Sequence, residues 1–242
     1  MNEGHPNTDQ RIKEIFRLFN DVSNAVEYCK RSRKDGLPEI AIIGSASSGK
    51  STILENLVGK KFLPRRDCLK IRPLIVDLVQ DGSKNEIYGY FTDNDENSNL
   101  FDNFDDIRDV IEEKTTLRNY NTAKQSGLSI LNSKPLRLTI HSPNFPNLTV
   151  IDLPEIPESL GNDQNSEFGD AVEDMINFYI GQHTSIILAV SPAESDVNNS
   201  SAIRLAKNAD RNGQRTIGVL TKLDTTDNTI GNRVQVFQSR VK

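Results

Sequence analysis

Apolar runs and helix-spaced patterns alternate along most of this chain, and their lengths separate strands from helices. Runs at residues 39–44, 72–80, 86–91, 136–141, 147–152, 185–191 and 215–220 predict strands. Patterns at 49–58, 104–114, 166–181 and 198–209 predict helices. Short continuous apolar strands separated by helices imply an α/β fold, a mostly parallel sheet with helices on both faces. In such a sheet ligands sit at the carboxyl ends of the strands.

Ahead of this alternation, Ile12, Ile15, Phe16, Phe19, Val22 and Val26 recur at helical spacing, so residues 9–31 predict an amphipathic helix ending before the Asp35-Gly36 turn. That helix needs a partner surface. The expected division is residues 1–35 as a bundle-type helical segment and residues 36–242 as one domain. Stretches 92–103 and 116–134 are polar and rich in Asn, Asp, Ser and Thr, which suits surface insertions better than core. No internal repeat is apparent, and residues 225–242 are polar.

At 242 residues and 36% hydrophobic content the chain can bury one substantial core. A net charge of -5 argues against nucleic acid as a partner, because phosphate backbones are neutralised by clustered Lys and Arg. Basic residues cluster only locally, at 30–34 and 60–72, and both runs read as solvated segments. Cys29 and Cys68 lack metal-ligand or redox spacing, so a reducing, cytoplasmic setting is expected. No apolar stretch approaches the ~20 residues of a membrane span, and the first residues are too polar for a signal peptide. A soluble protein, touching membranes or cytoskeleton only through a partner, is the expectation.

The chemistry concentrates where the first strand ends, at Gly44-Ser45-Ala46-Ser47-Ser48-Gly49-Lys50-Ser51-Thr52. Two glycines with four residues between them, followed by Lys and Ser between strand and helix, form a loop whose amides cradle phosphates beside a positive helix end. Lys50 is expected at the outer phosphates and Ser51 at a magnesium ion. Downstream, Thr221-Lys222-Leu223-Asp224 follows the last apolar run. The Asp224 carboxylate can accept two hydrogen bonds from the edge of guanine, while the Lys222 stem lies along the ring. Alone this is an ordinary strand-end turn; paired with an upstream phosphate loop it selects GTP or GDP. Asp152 closes the apolar run 150–153 where a carboxylate holds Mg2+ through water. His5, His141 and His183 have no partners at catalytic spacing and read as surface or satisfied core residues.

Several of these runs together resemble the GTPase domain of the dynamin family over residues 37–227. The resemblance rests on Leu37-Pro38-Glu39-Ile40-Ala41, Leu54-Glu55-Asn56-Leu57-Val58-Gly59, Phe62-Leu63-Pro64-Arg65, Arg72-Pro73-Leu74, Asn147 to Pro154, Leu188 to Ala193, and Gly213 to Asp224. It implies a P-loop NTPase type sheet, an N-terminal helix packed on a bundle, domain dimerisation across the nucleotide and a membrane-remodelling parent. It also implies that residues 47–52 cradle phosphate, that Ser51 and Asp152 serve Mg2+, and that Thr221, Lys222, Asp224 and Asp227 hold the base. Against the family pattern, this dynamin-type domain is expected to lack its C-terminal part, including the loop that covers the base.

Three departures fall in the hydrolytic machinery. Ala46 stands where the family has a Gln, Lys70 falls near an expected Thr in an arm, residues 60–73, that has no Ser or Thr, and Glu155 replaces a Gly. A carboxylate about 4 Å from a phosphate charge costs about 1 kcal/mol in water and about 4 kcal/mol at an effective dielectric near 20, so GTP should suffer more than GDP. By analogy with an arginine finger, losing one transition-state stabiliser costs roughly 10³ to 10⁵ in rate. The expectation is a guanine-nucleotide-binding domain with weak or absent hydrolysis. Its rivals are an active GTPase completed by a partner and a non-binding interaction surface.

Overall fold

The computed structural model describes residues 39–64, 69–83, 85–92, 100–117, 134–145, 147–156, 166–196 and 199–223. The amphipathic helix expected at 9–31, Cys29, Cys68, Arg65, Arg66, His5, Asp224, Asp227 and the polar stretch 225–242 lie outside these residues.

Strands β1 (Glu39–Ile43), β2 (Leu69–Lys70), β3 (Leu74–Gln80), β4 (Tyr88–Phe91), β5 (Thr116–Leu117), β6 (Leu136–Ser142), β7 (Leu148–Asp152), β8 (Ser185–Pro192) and β9 (Thr216–Thr221) follow in chain order. Between them run α1 (Lys50–Val58), α2 (Phe104–Thr115), α3 (Ser166–Ile180) and α4 (Ser201–Ala209). Seven strands form one sheet in the order β4-β6-β3-β7-β1-β8-β9. Pairing is parallel from β7 through β1 and β8 to β9, and between β3 and β6, but antiparallel at β3/β7 and β4/β6. The sheet is therefore mixed, with a parallel half around β1 that carries the site.

Side-chain alternation along the central strands explains the two layers. Ile42, Val150 and Val190 face one way, packing with Leu54 and Val58 of α1 and with Phe104, Ile107 and Ile111 of α2. Their neighbours Ala41, Ile43, Ile151 and Ala189 face the other way, against Val172, Ile176 and Ile180 of α3 and Ala202, Leu205 and Ala206 of α4. Both faces are covered, so the central strands read as unbroken apolar runs. Arg215 locks the second layer. Its guanidinium donates to the carbonyls of Ile180 (2.7 Å), Ser185 (2.9 Å) and Ala209 (2.7 Å), tying the ends of α3 and α4 to the start of β8.

Two polar stretches contain more structure than their composition suggests. Phe101 exchanges backbone hydrogen bonds with Gly89 (2.8 and 2.9 Å), and its ring meets Phe91 edge to face at 5.7 Å. Residues 116–117, grouped by composition with an insertion, form β5 and pair antiparallel with β2. His183 is exposed, as expected. His141 is half-buried rather than a surface residue: it is stacked on Tyr88 (4.8 Å) and Tyr90 (5.8 Å), its Nδ1 lies 3.7 Å from Asp81 Oδ2, and neither ring nitrogen has a hydrogen-bond partner.

Candidate functional site at the phosphate loop

The chain leaves β1 at the carboxyl edge of the parallel strands and turns into the phosphate loop. Gly44 is required by close approach: a Cβ there would lie 2.5 Å from Ser48 Oγ and 2.8 Å from the carbonyl oxygen of Val190. The Ile156 N-H donates to the Gly44 carbonyl at 3.2 Å, bringing the segment after β7 alongside the loop. Ser47 (φ 55°) and Gly49 (φ 99°) both adopt left-handed backbone on either side of the fully buried Ser48. Changes of backbone hand of this kind build anion-binding concavities. Gly49 also caps α1, so the loop ends on the positive end of a helix dipole.

Lys50 begins α1 and folds back beneath the loop. Its Nζ donates to the carbonyls of Gly44 (2.8 Å) and Ser45 (2.9 Å), and the residue is 3% exposed. Burial lowers its pKa to about 8; the carboxylates of Asp152 and Glu155 oppose this, and the Lys70 ammonium adds to it. Ala46 is exposed on the loop and presents only a methyl group.

The motif at the end of β9 joins this loop directly. Thr221 Oγ1 donates to the Ser48 carbonyl at 2.6 Å, and Thr221 packs closely on Gly49, where a Cβ would lie a tight 3.1 Å from Thr221 Cγ2. Lys222 has φ 54°, and its Nζ reaches Glu194 Oε1 at 3.3 Å. Between loop and strand end lies a cavity of about 750 Å³ whose walls include Ser47, Ser51, Thr52, Glu155, Thr221 and Lys222. That volume is within the range of small-molecule and cofactor sites. The two motifs, separated by a domain's length of chain, thus share one wall, while Asp224 and Asp227 lie outside the described residues.

At Lys70 the structure corrects the reading of the basic arm as a solvated loop. Lys70 Nζ lies 2.6 Å from Asp152 Oδ2, with the side chains 11% and 1% exposed. The ribbon positions the lysine: Lys70 pairs with Thr116, and the Ile71 N-H donates to the Thr115 carbonyl at 3.0 Å. Arg72 Nε is also shielded from solvent and has no partner. Composition could not show this pairing, since a two-strand ribbon leaves almost no periodic signal; the one clue was a lysine near an expected hydroxyl. Glu55 was also missed as a positioning residue. Its Oε1 accepts from the N-H groups of Phe62 (2.9 Å) and Leu63 (3.0 Å), fastening the start of the arm to α1.

In this arrangement the donors do not fit a magnesium ion well. The second oxygen of Asp152 is buried without a partner, but its first is already neutralised by an ammonium. Among the described residues no group of three or more His, Cys, Asp or Glu side chains could hold a metal.

The profile of the Dynamin family matches residues 40–223, from within β1 to just past β9. The chain belongs to the dynamin family. It is 41% identical to Dynamin-A of Dictyostelium discoideum over 225 residues, covering 90% of this chain and 25% of that protein. Dynamin-related protein 3B of Arabidopsis thaliana is 43% identical over 197 residues, 79% of this chain and 24% of its own length. Dynamin-2 of Rattus norvegicus is 41% identical over 217 residues, 89% of this chain and 24% of its own length. The chain therefore spans about a quarter of the dynamins it matches. Fold and family agree on an α/β GTPase domain of the dynamin type. Among the described residues no helix is long and apolar enough to cross a membrane.

Proposed function

We propose that this dynamin-family domain binds GTP or GDP in the cavity beside the phosphate loop and hydrolyses GTP weakly or not at all. One observation supports the reading above the others: a 2.6 Å bond joins Thr221, the first residue of the guanine motif, to the Ser48 carbonyl of the phosphate loop. In this reading the loop from Gly44 to Gly49, with Lys50, Ser51 and Thr52, takes the phosphates. Thr221, Lys222, Asp224 and Asp227 take the base. Family resemblance implies magnesium at Ser51 and Asp152, and no step here depends on it.

Weak turnover follows from three side chains. Ala46 offers no group to orient water, Lys70 supplies an ammonium engaged with Asp152 in place of a free hydroxyl, and Glu155 lines the cavity with a carboxylate. Binding energy then goes to the ground state, and little remains to stabilise a transition state. Such a domain would act by nucleotide occupancy, or by pairing across the nucleotide with itself or a related active dynamin. Any part in membrane remodelling would be indirect, through a parent or partner.

The test is titration of fluorescent GTP and GDP analogues against the purified chain, with ATP as competitor. Micromolar binding that favours GDP and resists ATP is expected. Hydrolysis that appears only on adding a related G domain would favour a GTPase completed by its partner. Absence of binding would leave an interaction surface.

A further inference from the structure

Asp152 ends β7 next to the phosphate loop and is 1% exposed, with Oδ1 buried and unpartnered. A carboxylate so far from water is strongly destabilised unless a positive charge accompanies it. Here that charge is covalently part of the chain: Lys70 Nζ is 2.6 Å from Oδ2 and 11% exposed. Backbone pairing on both sides of the lysine holds it in place, through the β2/β5 register and the Ile71 to Thr115 bond. The Lys70 ammonium also acts electrostatically on Lys50, which is itself bonded to the loop carbonyls of Gly44 and Ser45.

We propose that Lys70 is a tethered counter-ion occupying the charge position of a dication at Asp152, so that this chain takes up guanine nucleotide without requiring magnesium. The inference rests on the nucleotide-binding reading above. A dication at Asp152 would sit against the Lys70 ammonium or expel it, leaving a largely desolvated ammonium without its partner. The ammonium supplies a single charge where a magnesium ion supplies two, so it suits the less charged GDP better than GTP.

The experiment uses the whole chain and a fluorescent ribose-labelled GDP, titrated in magnesium and again in EDTA. The wild type should bind with dissociation constants within about threefold of each other in the two buffers. In Lys70→Thr, which frees Asp152 and provides a hydroxyl, EDTA should weaken binding by at least about tenfold. Electron paramagnetic resonance of added Mn2+ should show nucleotide-dependent capture by the variant and not by the wild type. If the variant does not fold, the wild-type buffer comparison and its Mn2+ spectrum decide alone. Wild-type binding that collapses in EDTA, or that captures Mn2+, overturns the tethered cation while leaving nucleotide binding intact. Absence of binding in both buffers overturns the nucleotide reading and this inference with it.

Discussion

At the residue scale, the site is a local balance of charge between two lysines and two carboxylates. Lys50 is held by two loop carbonyls, Lys70 neutralises Asp152, and Glu155 is left on the cavity wall. A phosphate entering the cavity meets that carboxylate, and the repulsion grows with phosphate charge. Glu155→Gly should therefore strengthen GTP binding more than GDP binding. With solvent screening, the difference should be about 1 kcal/mol, or about fivefold in the ratio of dissociation constants. Parallel titrations of both nucleotides measure it; equal gains for both would remove repulsion as the reason for a GDP preference. The substitution was visible from sequence because a single position breaks a familiar run. The engagement of Lys70 was not, since nothing in the string links residues 70 and 152 until the ribbon forms.

At the scale of elements, β9 matters because it carries Thr221, and its position depends on Arg215 one residue before the strand. The guanidinium serves three carbonyls at the ends of α3, α4 and the start of β8, while Asp210 accepts from the Arg215 N-H (2.9 Å) and from Thr216 Oγ1 (2.7 Å). Removing the guanidinium leaves carbonyls in a partly buried corner without donors. Arg215→Met should lower unfolding stability by about 2 kcal/mol, read as a shift in urea midpoint at unchanged slope. Nucleotide affinity should fall as well, since the bond from Thr221 to Ser48 fixes the cavity wall. An unfolding free energy unchanged within about 0.5 kcal/mol would mean water replaces the guanidinium. Sequence patterns located the long elements within a few residues, because burial on both faces leaves an unbroken apolar run. They missed β2, β5 and the Phe101 bridge, where two-residue pairings embedded in polar sequence give no period to read.

At the scale of the whole molecule, the expected α/β layering was legible, but the sheet is less uniformly parallel than apolar runs implied. β3 and β6 run opposite to the central strands, and strand direction leaves no trace in composition. On the proposed function, the nucleotide site keeps its phosphate loop while three separated positions weaken hydrolysis together: Ala46 on the loop, Lys70 on the ribbon and Glu155 after β7. Groups that act together in one transition state do not contribute additively, so repairing one should recover little. Ala46→Gln, Lys70→Thr and Glu155→Gly made singly should each leave single-turnover GTP hydrolysis within about tenfold of the wild type. The triple variant should exceed it by at least about 10³, the lower end of what one transition-state stabiliser is worth. Single-turnover rates with labelled GTP, at protein in excess of nucleotide, separate chemistry from binding and release. A triple variant no faster than the wild type, at matched GTP occupancy, would place the defect outside these three residues. A wild type already turning over at the triple variant's rate would show that the substitutions never disabled the domain.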